Sequence, residues 1–396
     1  MFITSNTIAL ERLRALERVL TLIETCDQPE EAVERWTYLA SAYYWMADFR
    51  HSYDVALRRA QQGEQAHQPH QLAMALAWLA WIHASQGSLS ASEQALEQAI
   101  GARTDTADTA LSDLIDYVRA LLAAEREHDS DAEQTLQTLL AHPQNRDDNC
   151  ITCAPLLSVV FLKLEKRDEA RRFELQLQSL LAKVPPGTLP TLPIMLALAF
   201  LALARSEQAL ALELYQHLLA FHGYYCWFLV DRVLGLLATN AGNWDAAAAH
   251  LASAEATARR ERLLPELART LIARADLEEA RGNQDSLLQA STFLGEALDL
   301  AEKLAMPKAA RELRSRLGLR PCQPEKRRGV PLPAGLTARE VDVLRLVAAG
   351  KSNGQIAKAL SLSEKTVGNH LTTIFHKTIS ENRAAAAAFA IRHGLA

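Results

Sequence analysis

The chain has 396 residues, of which 49% are apolar and 22% charged, as is typical of a soluble globular protein with two or three domains. Its longest apolar run, Leu192 to Ala204, is too short to span a bilayer, and its start lacks the pattern of a signal peptide. Five cysteines without a disulfide framework favour a reducing compartment, so we expect a cytoplasmic protein that does not enter a membrane.

The net charge of -5 conceals two oppositely charged parts. From Lys326 onward there are 11 basic and 4 acidic residues, whereas residues 1–325 carry 31 basic and 43 acidic ones. A basic tail on an acidic body indicates a nucleic-acid-binding module attached to a larger domain.

Residues 1–317 have a helical pattern that recurs along the chain. One set of small and apolar residues reappears 155 positions later: Leu79, Ala80, His83, Gly87, Ser92, Leu96 and Ala99 correspond to Leu234, Gly235, Ala238, Gly242, Ala247, Leu251 and Ala254. Recurrence of this kind predicts stacked helix pairs, in which a small residue on the first helix admits the second.

These pairs are similar to tetratricopeptide repeats, although their spacing is nearer 40 residues than the usual 34. The pattern predicts first helices that begin near residues 8, 32, 71, 110, 154, 192 and 226, with a final pair over 264–316. An array of this kind curves into a superhelix with a concave groove. An irregular all-helical bundle is the alternative.

Several side chains of the first helices are expected to face that groove. They are Tyr44, Trp45, Trp81, Arg232 and Asn240. Aromatic rings with a few polar groups suit a small molecule, a peptide or a partner helix, so the sequence predicts an effector of unknown identity here.

Residues 318–335 form a linker with four prolines and the basic cluster Lys326, Arg327 and Arg328. This composition favours an extended, solvated segment between two domains, 1–317 and 336–396.

The second domain carries three helix-start signals: Thr337 with Glu340, Ser352 with Gln355, and Ser363. Two of the helices, joined by a very short turn, share one apolar side, formed by Ile356, Ala357, Leu360, Leu362, Val367, Leu371, Ile374 and Phe375. The other face of the second helix is polar, formed by Lys365, Gly368, Asn369, Thr372 and His376. This arrangement predicts a helix-turn-helix whose second helix fits a major groove.

Residues 336–395 resemble the DNA-binding domain of LuxR-type transcriptional regulators. The likeness rests on Leu336 to Glu340, Val343 to Leu346, Ala348 to Gly350, Ser352-Asn353, Ile356-Ala357, Leu360, Leu362-Ser363, Thr366-Val367, His370-Leu371, Ile374-Phe375, Lys377 and Arg383. It implies four helices, binding to double-stranded DNA, and a homodimer paired through the alanine-rich helix near 382–393.

The resemblance places base contacts at Gly368, Asn369 and Thr372. An asparagine amide can bind adenine bidentately, and a threonine methyl can contact thymine. Phosphate contacts are expected from the residues Lys365, Thr366, Lys377, Ser352 and His370. Two departures stand out, since relatives often have a basic residue where Gly368 stands and Leu-Gly-Val where Thr378-Ile379-Ser380 stands.

No residue pattern indicates catalysis, a cofactor or a metal. Cys150 and Cys153 form one C-x-x-C in a predicted loop, which is too few ligands for a zinc site, although a redox or metal sensor remains open.

The sequence therefore predicts an all-α transcriptional regulator whose helical-repeat domain controls a C-terminal DNA-binding domain. The alternative is a helical-repeat scaffold whose DNA-binding domain is weakened or vestigial.

Overall fold

A computed structural model describes residues 29–104, 108–141, 146–319, 333–360, 363–393 and 395. The chain divides into two compact units, Met1–Arg320 and Pro321–Ala396. The described residues of both units are helical almost throughout, which confirms the all-α prediction.

Seven helix pairs and a closing helix make up the described part of the first unit. They are α1 Pro29–Trp45 and α2 Phe49–Gln65, α3 Pro69–Ser85 and α4 Leu89–Ala102, α5 Thr109–Glu125 and α6 Asp129–Leu140, α7 Arg146–Lys163 and α8 Arg167–Leu181, α9 Thr191–Ala204 and α10 Gln208–Leu218, α11 Val230–Asn240 and α12 Trp244–Arg260, α13 Leu264–Arg281 and α14 Gln284–Lys303, and α15 Pro307–Arg316. The predicted starts lie close to these first helices, except that α7 begins well before residue 154. The pair expected near residue 8 lies outside the described residues.

Most of the helix connections use one kind of turn. After α1, Ala47 adopts a left-handed conformation with φ 54°, and the Asp48 N–H donates to the Tyr43 carbonyl at 2.9 Å. This bond joins an N–H group just after α1 to a carbonyl in its last turn, and so caps a carbonyl that has no partner within the helix. In the next pair Gly87, with φ 79°, occupies the equivalent position.

A hydroxyl bond at the same 40-residue spacing joins the helices of the first two pairs. The Ser52 hydroxyl donates to the Ala40 carbonyl at 2.8 Å, and the Ser92 hydroxyl donates to the Ala80 carbonyl at 2.7 Å. All four residues are buried. The sequence repeat thus corresponds to a repeated contact between a small residue on the first helix and a serine on the second.

A short antiparallel hairpin between α10 and α11 interrupts the helical pattern and was not predicted. Its strands are β1 Tyr225–Cys226 and β2 Phe228–Leu229, and Trp227 sits at the turn with φ 60°. All five side chains of this inner hairpin, residues 225–229, are at most 3% exposed.

The inner hairpin fills the interior of the repeat array. The Tyr225 ring lies 5.2 Å from the ring of Tyr44, and the Trp227 ring lies 5.3 Å from that of Trp81. The Trp227 indole N–H donates to the Thr152 carbonyl at 2.7 Å. The hairpin therefore contacts α1, α3 and α7 at once.

A buried ion network lies beside the inner hairpin. Glu266 pairs with Arg232 at 3.0 Å and with Arg269 at 3.1 Å, and Arg269 also pairs with Glu125 at 2.6 Å. The Leu229 N–H donates to Glu266 at 2.9 Å. Burial opposes ionisation of Glu266, but the two arginines hold its pKa below the usual value. Two acidic and two basic groups thus compensate one another where an isolated charge would be costly.

Early and late repeats also contact each other directly. The Phe49 N–H donates to the Glu261 carboxylate at 3.1 Å. The N–H groups of Lys308 and Ala309, in the first turn of α15, donate to the Glu127 carboxylate at 2.5 and 2.7 Å. Glu127 therefore caps a helix that begins 180 residues later in the chain, and the first unit folds back on itself.

The apolar run Leu192–Ala204 belongs to α9, which is buried along nearly its whole length. Among the described residues no helix combines the length and apolarity needed to cross a membrane.

The C-x-x-C residues lie within helix α7, not in a loop as expected. Cys150 and Cys153 are fully buried. Burial raises the pKa of Cys150 to about 12 and that of Cys153 well above its ordinary value. Since thiolates are the reactive and metal-binding form, these thiols have the character of core residues.

The second unit contains α16 Ala338–Ala348, α17 Asn353–Leu360, α18 Glu364–Thr378 and α19 Arg383–Arg392, preceded by a single 3₁₀ turn at Pro333–Gly335. It has its own apolar core, which includes Leu344, Val347, Ile356, Val367, Leu371, Ile374, Ala386 and Ala390.

Gly235 tests the requirement for a small residue between paired helices. A Cβ atom there would lie 2.5 Å from the Leu251 side chain, whereas one at Gly295, within α14, would meet nothing within 4 Å. Both substitutions by alanine improve helix propensity by about 1 kcal/mol. We expect Gly295→Ala to raise the free energy of unfolding by that amount. Gly235→Ala should lower it by up to about 2 kcal/mol, because an overpacking cost of about 1–3 kcal/mol exceeds the gain in helix propensity.

Denaturant unfolding of the full chain, followed by tryptophan fluorescence, measures both changes, because all six tryptophans belong to the first unit. Equal stabilisation by the two substitutions would show that the close approach of α11 and α12 does not depend on glycine.

Candidate nucleic-acid interface

Both predicted caps of the helix-turn-helix are formed. The Ser352 N–H donates to the Gln355 side chain at 3.0 Å, and the Gln355 N–H donates to the Ser352 hydroxyl at 3.3 Å, so α17 begins with a reciprocal capping box. The Thr366 N–H donates to the Ser363 hydroxyl at 3.1 Å at the start of α18. The turn between them, residues 361–362, lies outside the described residues.

The apolar side of these helices is fixed against the domain core. Ile356 and Ala357 of α17 are buried together with Val367, Leu371 and Ile374 of α18. Val367, Leu371 and Ile374 recur at the spacing of one helix face, so α18 is oriented as the sequence predicted. The side of α18 opposite these residues faces solvent.

The exposed side of α18 presents a polar surface that we name the recognition face, formed by Lys365, Asn369, Thr372 and His376. The Thr372 hydroxyl donates to the Gly368 carbonyl at 3.1 Å, which leaves the Thr372 methyl group available for an external contact. The Asn369 amide makes no hydrogen bond within the described part of the chain, so its donor and acceptor are both available.

Gly368 lies half-buried between these residues in the helix interior. A Cβ atom at this position would meet nothing within 4 Å. No contact among the described residues therefore requires glycine here, although glycine costs about 1 kcal/mol relative to alanine inside a helix.

The predicted phosphate-contact residues separate into two groups. Lys365 and Ser352 are exposed. His370 and Thr366 are half-buried, and the Thr366 hydroxyl is bound to that of Ser363 at 2.7 Å. Lys365 is therefore the residue of this set that presents a solvent-exposed charge.

Lys377 is placed differently from the expectation of a free phosphate contact. Its ammonium binds the Glu340 carboxylate at 2.8 and 3.0 Å, and the Thr337 N–H donates to the same carboxylate at 2.7 Å. Burial would raise the pKa of Glu340, but Lys377 and Thr337 hold it below its usual value. The charge of Lys377 is thus used inside the domain, where it ties α18 to α16.

The junction after α18 reverses through a left-handed residue. Ile379 has φ 50° and is 92% exposed, and the Ser380 N–H donates to the Phe375 carbonyl at 2.9 Å. The LuxR-type pattern has glycine at this position, and a side chain in this conformation costs about 1–2 kcal/mol.

Arg383 has a structural role that the sequence did not indicate. Its guanidinium donates to the Asn353 side chain at 2.9 Å and to the Lys351 carbonyl. It therefore holds the start of α19 against the start of α17, beside the Ser352 cap of the first helix of the helix-turn-helix.

The predicted effector-groove residues do not line an open surface. Tyr44, Trp81 and Arg232 are at most 7% exposed, while Trp45 and Asn240 are half-buried. The inner hairpin occupies the space in front of Tyr44 and Trp81, and Glu266 pairs with Arg232. The expectation of an open groove at these residues is corrected, because the chain covers the aromatic surface itself.

A pocket that the sequence did not single out lies between α1, α2 and α3. It encloses only about 10 Å³ of water-accessible space and opens to solvent, and its described lining includes Trp36, Arg59, Gln71 and Trp78. Arg59 is 7% exposed, and neither its Nη2 nor the Trp78 indole nitrogen has a hydrogen-bond partner in the described structure. Burial lowers the pKa of Arg59.

The ion pair of Glu340 predicts a pH dependence for the second unit. Because the folded pKa is lowered, its stabilisation is complete above the unfolded value, about 4.3, and is lost as the pH falls through the folded value. We expect Glu340→Gln to lower the free energy of unfolding by about 1–3 kcal/mol at pH 7 and by less at pH 3.

Amide hydrogen exchange of residues 333–393 in the full chain measures this difference, with Glu381→Gln as the control for an exposed carboxylate. Equal losses at both pH values would contradict a role for the carboxylate charge.

Comparison with known proteins agrees with this geometry. Residues 334–390 match the model of bacterial regulatory proteins of the luxR family. The chain is 48% identical over 60 residues to the uncharacterized transcriptional regulatory protein YhcZ of Bacillus subtilis, covering 15% of this chain and 28% of that protein. It is 44% identical over 59 residues to the transcriptional regulatory protein DegU of Brevibacillus brevis, covering 15% and 25%.

The response regulator protein VraR of Staphylococcus aureus is 40% identical over 60 residues, covering 15% of this chain and 29% of VraR. The matches thus span only 25–29% of the length of these relatives. The predicted LuxR-type resemblance is confirmed: the C-terminal unit is a helix-turn-helix domain of the luxR family of bacterial regulatory proteins.

Proposed function

We propose that this protein is a DNA-binding transcriptional regulator. The observation that carries this proposal is the recognition face of α18, which is polar and exposed while the opposite side of the helix is locked into the core. The two capping arrangements and the luxR-family match support it. The caps and the buried apolar side hold this face in a defined orientation, which favours a working DNA-binding domain over the vestigial alternative.

In this proposal Asn369 and Thr372 read bases in the major groove, and Lys365 with the N–H groups after Ser352 contacts phosphates. Gly368 brings the backbone of α18 close to the DNA, since no described residue of the domain requires its small size. Lys377 and Thr366 position the helix and do not contact DNA through their polar ends.

A homodimer through α19 is part of the proposal. Ala386 and Ala390 of this helix pack into the domain, but Ala384, Ala388 and Ile391 are exposed, and Ile391 is 64% exposed. These three residues lie at i, i+4 and i+7 and form one apolar stripe. Small side chains let two such helices approach closely, which supports pairing of two recognition helices on one DNA site.

Asn369 and Lys365 give the sharpest test of DNA binding. A preferred site is first selected from random duplexes with the full chain. We expect Asn369→Ala to weaken binding to that site by about 1–3 kcal/mol and to change binding to random DNA little. Lys365→Ala should weaken both equally and reduce the salt dependence by about one phosphate contact.

Arg392→Ala, which removes an exposed charge from α19, is the control for general electrostatics. The absence of any salt-dependent binding to duplex DNA by the intact chain would refute the proposal and favour the helical-repeat scaffold.

We infer further that the helical unit senses a small anion, such as formate or acetate, at the opening of the narrow pocket beside Arg59. The buried Nη2 of Arg59 and the Trp78 indole nitrogen have no hydrogen-bond partner among the described residues, and an anion there would complete the bonding of both. Trp36 and Trp78 supply apolar walls. Such a ligand acts on DNA binding only if it binds two arrangements of the protein with different affinity.

Arg59→Met tests this site because methionine retains the apolar stem and removes the charge. In buffer without small organic acids we expect the variant to be as stable as the parent or up to about 1–2 kcal/mol more stable. Formate and acetate should change the tryptophan fluorescence of the parent but not of the variant.

Arg58→Met is the matched control, since the neighbouring Arg58 is exposed. A loss of stability in Arg59→Met without any carboxylate response in the parent would show that Arg59 is a structural residue.

A further inference from the structure

We propose that His222, Asp231 and His250 bind a divalent transition-metal ion in the helical unit. This group is the one set of potential metal ligands found among the described residues, and its three donor atoms all lie within 4.8 Å of one another. His222 precedes the inner hairpin, Asp231 lies in the first turn of α11, and His250 lies on α12. Sequence spacing gave no signal, because the three belong to different elements.

The donor atoms converge on one carboxylate oxygen. Asp231 Oδ1 contacts Nδ1 of His222 and lies 3.8 Å from Nδ1 of His250. The distance from Asp231 Oδ1 to His250 Nδ1 is too long for a hydrogen bond but within the range of an ion pair, so the same carboxylate oxygen faces both imidazoles. An ion bound by all three would complete the set through small side-chain movements.

The surrounding contacts are those that support metal ligands. The outer carboxylate oxygen, Asp231 Oδ2, accepts from the Gly223 N–H at 2.9 Å. The second ring nitrogen of His250, Nε2, lies 3.1 Å from the Tyr215 hydroxyl. Metal-binding histidines and carboxylates usually have such partners, which fix the ring and the orientation of the ligand atom.

Exposure and chemistry indicate the kind of ion. The Asp231 side chain is fully buried and that of His250 is 15% exposed, but the His222 side chain is 42% exposed, so an ion can reach the site from solvent. Two imidazoles and one carboxylate suit zinc and neighbouring first-row divalent ions rather than magnesium or calcium. Three protein ligands leave further positions for water or another small ligand.

The proposed metal ligands flank the inner hairpin in the chain. His222 and Asp231 lie on either side of residues 225–229, and His250 belongs to the next helix. A bound ion would therefore hold both ends of the hairpin against α12. An ion that binds only the folded chain raises its thermal midpoint as the ion concentration rises.

The test uses the full chain without a histidine tag, stripped of metal with a chelator that is then removed. Titration with Zn²⁺ in a calorimeter should show one site per chain, and Co²⁺ should give an absorption band of a nitrogen- and oxygen-ligated ion. The thermal midpoint should rise with Zn²⁺ and return to its initial value when the chelator is added again.

His222→Ala and His250→Ala should each weaken Zn²⁺ binding at least tenfold and remove the Co²⁺ band. Tyr215→Phe should weaken binding by a smaller factor, because it removes only the hydrogen bond that orients His250. His217→Ala is the matched control, since His217 is an exposed histidine on α10 outside the cluster. His222→Gln, which retains a hydrogen-bonding side chain, replaces His222→Ala if circular dichroism shows that the alanine variant is unfolded.

The absence of stoichiometric Zn²⁺ binding would overturn the proposal and leave His222 and Asp231 as a buried ion pair. So would binding that survives in His222→Gln and His250→Ala, or binding that is lost equally in His217→Ala.

Discussion

The packing of the inner hairpin against the aromatic residues of the early repeats is the interaction on which the helical unit depends. An array of helix pairs exposes apolar side chains along its inner surface, and these must be covered by a ligand, by a partner or by the chain itself. Here Tyr225 and Trp227 cover Tyr44 and Trp81. The same five residues bring the Leu229 N–H to Glu266 and so connect the hairpin to the buried ion network.

This arrangement removes the aromatic surface from the sites at which the proposed effector binds. A surface already filled by the protein's own aromatic residues offers no free site, and a ligand there would have to displace five buried side chains. Arg269 and Arg59 differ in whether their charges are paired within the described structure, and this difference favours a ligand site beside Arg59. Arg269 is paired with Glu125 and Glu266, whereas the buried Nη2 of Arg59 has no partner among the described residues. The charge of Arg269 is thus compensated within the fold, whereas the unpartnered Nη2 of Arg59 is the reason for proposing an anion there.

The C-terminal unit shows how a small domain presents one helix. Its capping boxes, its buried apolar stripe and the Lys377–Glu340 ion pair all fix α18 from one side and leave the other free. The left-handed Ile379 is unfavourable for a β-branched side chain, so the contacts on either side of it hold the chain reversal in place. The orientation of the recognition face is thus fixed by the caps, the buried stripe and the ion pair, none of which is part of that face.

The sequence by itself determined the features that arise from neighbours along the chain. Helix capping acts over three residues, so Thr337, Ser352 and Ser363 could be identified with their roles. Apolar periodicity assigned Val367, Leu371 and Ile374 to the core and Asn369 to the exposed face, and the 40-residue recurrence located most of the helix pairs.

Only the tertiary structure decided the features that depend on distant residues. The hairpin at 225–229 lies within an apolar stretch whose pattern does not distinguish a strand from a buried helix. Its position turned Tyr44 and Trp81 from groove residues into core residues. The pairing of Lys377 with Glu340, the unpaired Nη2 of Arg59 and the meeting of His222, Asp231 and His250 depend on distances between separate helices, which spacing along the chain does not encode.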